Sequence, residues 1–256
     1  MNFGVRYAAI VGCVMLLFTN FIACGARLYQ VSLSGDHRPR ELESSNANDP
    51  NSPEYGLHAP HGWKQLPIHF KVGMAIGEQQ RTALVRAMAT WELAVGRKLF
   101  VFDGIHEGVT GDSFKDLYSS LADGVNGHYL DDNWSKTGKP TIVLATTIWD
   151  NDASDLRSIA TADIRFNSNY YNLGDSFKAR VTDDREVVDM QTLALHELGH
   201  LLGLTHINPQ VDSYSIMTPS LYIGEGLANR RLSKGDLERI QKIYGCQGNS
   251  CDLEAT

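Results

Sequence analysis

The sequence predicts an α+β fold in which two large helices pack on a twisted mixed β-sheet. Apolar and polar residues alternate over 66–72, as in a half-buried strand, and a second strand follows at 98–102. Between them, residues 79–95 carry apolar side chains at helical spacing. The chain of 256 residues shows no internal repeat, and residues 63–256 suffice for one domain with a sizeable core.

The first helix and the segment after the second strand have different patterns. The helix presents one apolar stripe, formed by Leu84, Met88, Trp91 and Val95. Gly96 suits the left-handed turn that ends a helix, so we expect the helix to stop there. Residues 103–140 are polar and irregular, and we expect only one short helix among them, at 113–122.

Two further strands and a second large helix complete the predicted core. Residues 141–149 form the most apolar strand and 159–166 another, joined by a polar turn rich in Asp. The second helix is expected over 188–202, where Asp189 is placed to cap the first turn.

Three imidazoles and one carboxylate are concentrated at the end of this second helix, in the segment HELGHLLGLTH. His196 and His200 lie one helical turn apart, so their rings can reach the same metal ion. Glu197 is offset from them, as a general base beside the metal would be. Gly203 allows the turn that brings His206 back as a third ligand. Three protein ligands leave one position open on a zinc ion, as catalysis requires.

Two later segments extend this pattern. SIMTP contains Met217 and Pro219, and LSKGDLERIQKIYG follows near the end of the chain. With HELGHLLGLTH, they make residues 63–245 resemble the metzincin metalloproteases, and within them the matrixin branch. The resemblance implies a single catalytic domain with a methionine turn at Met217 beneath the zinc histidines and a C-terminal helix.

The resemblance also implies an activity: a zinc-dependent endopeptidase with one catalytic zinc and with Glu197 as general base on the zinc-bound water. A peptide substrate would pair with an edge strand within 141–149. Pro219 and Tyr222 match the region that walls the substrate pocket, although Tyr222 stands one place later than the family tyrosine. Two alternatives remain open, namely a zinc-dependent hydrolase of cell-wall amide bonds and a non-catalytic zinc-binding surface protein.

Two departures limit how far the resemblance extends. Arg165 stands where animal matrixins have a histidine on a second, structural zinc, so a second zinc is not expected here. The cysteine motif that keeps animal matrixins latent is absent from this sequence. Calcium, which matrixins often carry, could bind the acidic stretch 150–155, for which a solvated turn is the alternative.

The N-terminal residues predict export. Residues 1–23 have a basic start and a short apolar run, as in a signal peptide, and the small residue before Cys24 resembles a bacterial lipobox. A lipid on Cys24 would anchor the protein to a bacterial membrane, at the outer membrane or cell surface. An ordinary signal peptide and a secreted protein are the alternative. Residues 25–62 are polar and predict a flexible tether, in which His58 and His61 either reach the zinc or are solvated.

Cysteine usage and charge agree with an exported protein. Cys246 and Cys251 are the remaining thiols of the mature chain, and in an oxidising compartment they can form a disulfide. The net charge of -7 and the lack of a basic stripe exclude nucleic acid as an expected partner. We therefore expect a monomeric catalytic domain that acts on peptide or protein substrates.

Overall fold

The computed structural model describes residues 27–30, 36–37, 45–119, 123–178, 184–247 and 251. The predicted signal peptide and Cys24 lie outside these residues. No helix within the described ranges combines the length and apolar character needed to cross a membrane.

The described residues form eleven strands and three α-helices. Numbered along the chain, the strands are β1 (Arg27–Gln30), β2 (Asp36–His37), β3 (Gly62–Trp63), β4 (Ile68–Gly73), β5 (Phe100–His106), β6 (Asn126–Asp131), β7 (Ala145–Asp152), β8 (Asp155–Asn167), β9 (Tyr171–Gly174), β10 (Glu186–Asp189) and β11 (Ser220–Ile223). The helices are α1 (Glu78–Val95), α2 (Met190–Leu201) and α3 (Lys234–Tyr244).

A mixed sheet forms the centre of the fold. Its strand order is β2-β7-β8-β6-β4-β5, and β3 also pairs with β8. β7 runs antiparallel to β8, whereas the other pairs are parallel. Two small sheets join β1 to β11 and β9 to β10. This arrangement of sheet and helices confirms the α+β class that the sequence predicts.

The helix α1 follows the pattern predicted for it. Gly96 ends it with φ of 65°, and its N–H contacts the carbonyls of Glu92 and Leu93. The apolar stripe is buried, and the Trp91 indole donates a hydrogen bond of 3.0 Å to the carbonyl of Leu195. Because Leu195 belongs to α2, this contact joins the two core helices.

The polar stretch after β5 differs from the prediction. It contains β6, which lies inside the sheet between β4 and β8. The predicted helix at 113–122 is wrong over its described part, where a 3-10 turn at Gly111–Ser113 is followed by a bend and a turn. The carbonyls of Asp116 and Leu117 accept hydrogen bonds of 2.6 and 2.8 Å from the Arg165 guanidinium. In a helix these two carbonyls would accept from backbone N–H groups. Here they accept from the Arg165 side chain instead, which disfavours the helix.

The packed part of the chain begins upstream of residue 63, where composition places the end of a tether. Leu57 and Ala59 are buried in the core, and Leu57 forms a β-bridge with Leu204. The N–H groups of His58 and Ala59 both point to the carbonyl of Gly203. Two apolar side chains and two backbone hydrogen bonds therefore hold this segment against the turn after α2, although most of its residues are polar.

The segment that follows α3 contacts the end of α1. Cys246 and Cys251 are joined by a disulfide, and Cys251 is buried. The amide of Gln247 donates a hydrogen bond of 2.9 Å to the carbonyl of Val95, and Gln241 Nε2 donates to the carbonyl of Ala94 at 2.8 Å. Gln247 and the last turn of α3 are thereby held at the end of α1.

Candidate metal centre

The helix α2 carries the first two histidines, and its N-terminus is fixed by charge. Asp189 caps the helix as predicted, accepting from the Thr192 N–H at 2.9 Å. Arg230 donates to the same carboxylate at 2.5 and 3.0 Å. Burial opposes the ionisation of Asp189, but the hydrogen bonds from Arg230 and Thr192 outweigh burial and lower its pKa. The start of α2 is thus tied to the segment that follows β11.

The three histidines of the motif converge on one point. The Nε2 atoms of His196 and His200 lie 3.1 Å apart, and they lie 3.2 and 3.3 Å from Nε2 of His206. Nδ1 of His196 lies 2.7 Å from the carbonyl of Ile216, and Nδ1 of His200 lies 2.9 Å from that of Leu204. A carbonyl only accepts, so both Nδ1 atoms carry the proton and both Nε2 lone pairs face the common point.

The spacing of these nitrogens fits a small cation. A tetrahedral zinc with bonds of about 2.0–2.1 Å places neighbouring ligand nitrogens about 3.3–3.4 Å apart. Calcium instead takes six to eight oxygen ligands at about 2.3–2.6 Å, which three imidazole nitrogens do not supply. Burial lowers the pKa of His196 to about 4, so this ring is neutral at pH 7, as a metal ligand must be. The donor set and its geometry therefore fit zinc.

The turn after α2 brings the third histidine into place. Gly203 has φ of 108°, and a Cβ at this residue would lie 2.7 Å from the carbonyl oxygen of Ala59. Its N–H donates to the carbonyl of His200, and the N–H of Leu204 donates to that of Gly199. Glycine is thus required both for the backbone conformation and for the close approach of residue 59.

The methionine turn lies directly beneath the histidines. Met217 is fully buried, and a Cβ on Gly199 of α2 would overlap its sulfur. No role was predicted for Gly199, although a glycine in the middle of an apolar helix indicates close approach of another element. The carbonyl of Ile216, one residue before Met217, is the partner of the His196 ring.

Asp236 on α3 holds the methionine turn in place. Its carboxylate accepts from the Ile216 N–H at 2.8 Å, from the Ser215 hydroxyl at 2.5 Å and from the Ser233 N–H at 2.9 Å. Arg239 donates to it at 2.9 Å. Sequence reasoning missed this role, although Ser233 and Asp236 have the spacing of a capping box. The carboxylate supports His196 through the Ile216 peptide unit.

Glu197 lies beside the histidines and is fully buried in α2. The hydroxyl of Thr147 on β7 is 2.7 Å from Glu197 Oε2. Thr147 was also missed, and the only sequence signal was a threonine pair inside the most apolar strand. The site therefore combines three metal-directed nitrogens with a carboxylate in contact with the sheet.

The two upstream histidines do not join the metal centre. His58 Nε2 lies 2.8 Å from the carbonyl of His200, and its ring stacks on Trp149 with centroids 4.0 Å apart. His61 pairs with the Asp155 carboxylate at 2.9 Å. His58 is thus neither a zinc ligand nor a solvated linker residue. Its ring contacts the backbone of the zinc-binding helix and the Trp149 side chain.

The residues expected at the substrate pocket lie on or just before β11. Tyr222 is 67% exposed, its neighbour Leu221 is buried, and Pro219 is half-buried. The edge of β7, where a substrate strand was expected, pairs with β2 at Ile148 and Trp149. The role of these residues toward a substrate stays a prediction.

Arg165 and two carboxylates of the acidic stretch 150–155 pair with other side chains. Arg165, fully buried, pairs with Asp131 at 2.6 Å and lies over the Phe114 ring at 4.1 Å. In the acidic stretch, Asp152 pairs with Lys64, and Asp155 with His61. Within the described residues, the three motif histidines are the one cluster of His, Cys, Asp or Glu that could hold a metal ion.

A helix that carries two of three converging histidines, a glycine turn that carries the third, and a buried methionine turn beneath them define the class of metzincin metal centres. The family model for Matrixin matches residues 102–245. Since this is more than half of the chain, the protein belongs to the matrixin family.

Curated relatives agree over a short stretch. Residues of this chain are 45% identical over 58 positions to stromelysin-2 of Rattus norvegicus, covering 23% of this chain and 12% of that protein. They are 39% identical over 70 positions to metalloendoproteinase 5-MMP of Arabidopsis thaliana, covering 27% and 18%. They are 40% identical over 63 positions to matrilysin of Felis catus, covering 25% of this chain and 22% of that protein. The chain thus spans less than a quarter of the length of these relatives.

Proposed function

We propose that this protein is a zinc-dependent endopeptidase that hydrolyses peptide bonds in proteins outside the cytoplasm. The observation that carries the proposal is the convergence of three Nε2 atoms, 3.1 to 3.3 Å apart, beside the buried carboxylate of Glu197. Membership of the matrixin family and the names of two relatives, metalloendoproteinase 5-MMP and metalloendoproteinase 2-MMP, support it.

The residues of the site divide the chemistry among them. His196, His200 and His206 would hold the metal, which, when bound, supplies Lewis acidity toward the scissile carbonyl and the attacking water. The Glu197 carboxylate accepts the proton of the attacking water and then delivers it to the leaving amine. The buried surroundings of Glu197 strengthen its electrostatic interactions with the reacting atoms.

A peptide substrate would add to the sheet along β7, and β11 would lie on the other side of the bound peptide. An extended peptide gains affinity from main-chain hydrogen bonds and specificity from pockets for alternate side chains. We propose that Pro219 and Tyr222 contribute to one such pocket. The exposed ring of Tyr222 is available for contact with a substrate side chain.

The proposal is tested with a mixed peptide library and the purified domain, with and without chelator. Cleavage that chelator stops and zinc restores supports it. Changing Glu197 to Ala should abolish cleavage while zinc remains bound at one ion per chain. Failure to cleave any peptide would favour a hydrolase of cell-wall amide bonds, or a non-catalytic zinc-binding protein, in its place.

We further propose that the protein is exported and anchored through a lipid on Cys24. The lipobox-like sequence before Cys24 supports this, and the intramolecular disulfide of Cys246 and Cys251 suits an oxidising compartment. Metabolic labelling with a radioactive fatty acid should mark the wild type and not a Cys24→Ala variant. Unlabelled wild type would instead indicate a secreted form.

Calcium binding and a monomeric state also stay predictions. The carboxylates of Asp152 and Asp155 already have the partners Lys64 and His61, which compete with a cation at 150–155. Thermal unfolding with and without added calcium tests the first prediction, and sedimentation velocity tests the second.

A further inference from the structure

The strand β7 places one polar side chain against the candidate general base. Thr147 is fully buried in the middle of β7, where its Cα is paired with that of Ile164 on β8. Its hydroxyl lies 2.7 Å from Glu197 Oε2 and 3.1 Å from the backbone carbonyl oxygen of Glu197. The two residues are 50 positions apart in sequence, so this contact exists only because α2 packs on β7.

The distances indicate which oxygen accepts the hydroxyl proton. A threonine hydroxyl has one proton to donate, and an ionised carboxylate is the stronger acceptor. The shorter distance, to Oε2, is that of a well-formed O–H···O bond and identifies this oxygen as the acceptor. The β-branched side chain of Thr147 is stiff at χ1, so the donor is held by the sheet rather than by a mobile loop.

We propose that Thr147 is a positioning residue that orients the Glu197 carboxylate for proton transfer. This inference rests on the proposed function, in which Glu197 is the general base. A glutamate side chain has several rotatable bonds, and proton transfer requires its oxygen within about 2.6–3.2 Å of the water. A donor fixed to the sheet restricts the rotation of the carboxylate and so keeps it in reach.

The neighbouring residue supplies a matched control. Thr146 is also fully buried in β7, but successive side chains of a strand point to opposite faces, so it lies on the face away from Glu197. Changing either threonine to valine replaces a buried hydroxyl by a methyl group of similar size. Both variants lose a buried hydroxyl, and only Thr147→Val removes the contact with Glu197.

The kinetic test uses Thr147→Val, Thr147→Ser and Thr146→Val with a cleavable peptide. General base catalysis contributes about 10²–10⁴-fold, so partial misorientation should lower kcat about tenfold in Thr147→Val. KM and zinc content should stay within about twofold of wild type, because the ligands and the substrate edge are intact. Thr147→Ser, which keeps the hydroxyl, should retain most of kcat. Equal losses in the valine and serine variants, or a full kcat in Thr147→Val, would overturn the proposal.

A second measurement does not depend on peptidase activity. Unfolding of the zinc-loaded wild type, Thr147→Val, Glu197→Ala and the double variant forms a double-mutant cycle, because alanine removes the oxygen that accepts from Thr147. The hydrogen bond predicts a coupling of about tenfold in the unfolding equilibrium constant. If the wild type cleaves no peptide, the proposed function fails while this cycle still tests the contact. Additive effects would show that Thr147 does not hold Glu197.

Discussion

At the residue scale, the site depends on polar groups that hold other polar groups in a fixed orientation. The Ile216 carbonyl fixes the proton on His196, and Asp236 fixes the peptide unit that carries this carbonyl. Such outer contacts set the tautomer and direction of a metal ligand. Because they join residues far apart in sequence, they are the part of the site that a linear motif does not describe.

Asp236 offers a direct test of this support. Asp236→Asn keeps the volume but removes the charge and puts an N–H₂ group near donors, so the methionine turn should shift. We expect zinc affinity to fall about 10- to 100-fold, as for other residues behind metal ligands. Titration with a competing chelator measures this. The control Glu238→Gln changes an exposed acid on the same helix and should bind zinc as wild type does. Equal affinity in both variants would contradict the assigned role.

His128 predicts a dependence of stability on pH. It is fully buried against the Phe70 ring, and neither ring nitrogen has a hydrogen-bond partner within the described residues. Burial lowers the pKa of His128 to about 3, so the unfolded chain, with an ordinary pKa near 6.5, takes up the proton first. Its contribution to stability is therefore complete above pH 6.5 and is lost progressively as pH falls toward 3.

The comparison that isolates this effect is wild type against His128→Leu in urea unfolding at pH 7.5 and pH 5. Between these pH values the wild type should lose about 2 kcal/mol more than the variant. Burial raises the pKa of Asp163, which adds its own pH dependence in both proteins and cancels in the comparison. Identical pH dependence in the two proteins would show that His128 is not the neutral buried group described here.

At the element scale, segments with strong local patterns were predictable and segments that depend on partners were not. The stripe of α1, its end at Gly96 and the cap at Asp189 are local signals, and all three are confirmed. β6 was missed because most of its residues are polar, and the partner of its Asp131 carboxylate, Arg165, lies on β8. The sequence motif was sufficient to predict the three histidines. The roles of Thr147 and Asp236 could not be predicted in this way, because they arise from contacts between separate elements.

The turn between α2 and His206 gives a prediction for an element junction. Gly203→Ala should cost about 2–3 kcal/mol of stability, because its φ is positive and its Cβ would collide with the Ala59 carbonyl. Zinc affinity should fall with it, since His206 follows this turn. Gly104 has a similar φ of 98° with no atom near its Cβ, so Gly104→Ala measures the backbone strain alone. Chemical unfolding that shows equal losses for both variants would refute the close-packing argument.

At the scale of the whole chain, the N-terminal segment contacts both elements that we propose to bind substrate. β1 is antiparallel to β11, with Arg27 opposite Ile223. β2 is parallel to β7, with Asp36 opposite Ile148. These pairings use main-chain groups that a substrate strand would also need. The part of the chain that sequence composition assigns to a tether therefore competes for the proposed substrate edges.

Removal of residues 1–44 tests this competition, because the truncated chain keeps Leu57 and Ala59, which pack in the core. If the two strands occupy the edges about 80% of the time, they raise the apparent KM about fivefold, so truncation should lower KM by that factor and leave kcat unchanged. A Cys24→Ala full-length protein separates this effect from membrane attachment. A synthetic peptide of residues 27–37, added to the truncated enzyme, should inhibit it by competing with substrate. An unchanged KM after truncation would mean that substrate reaches β7 and β11 without displacing these strands.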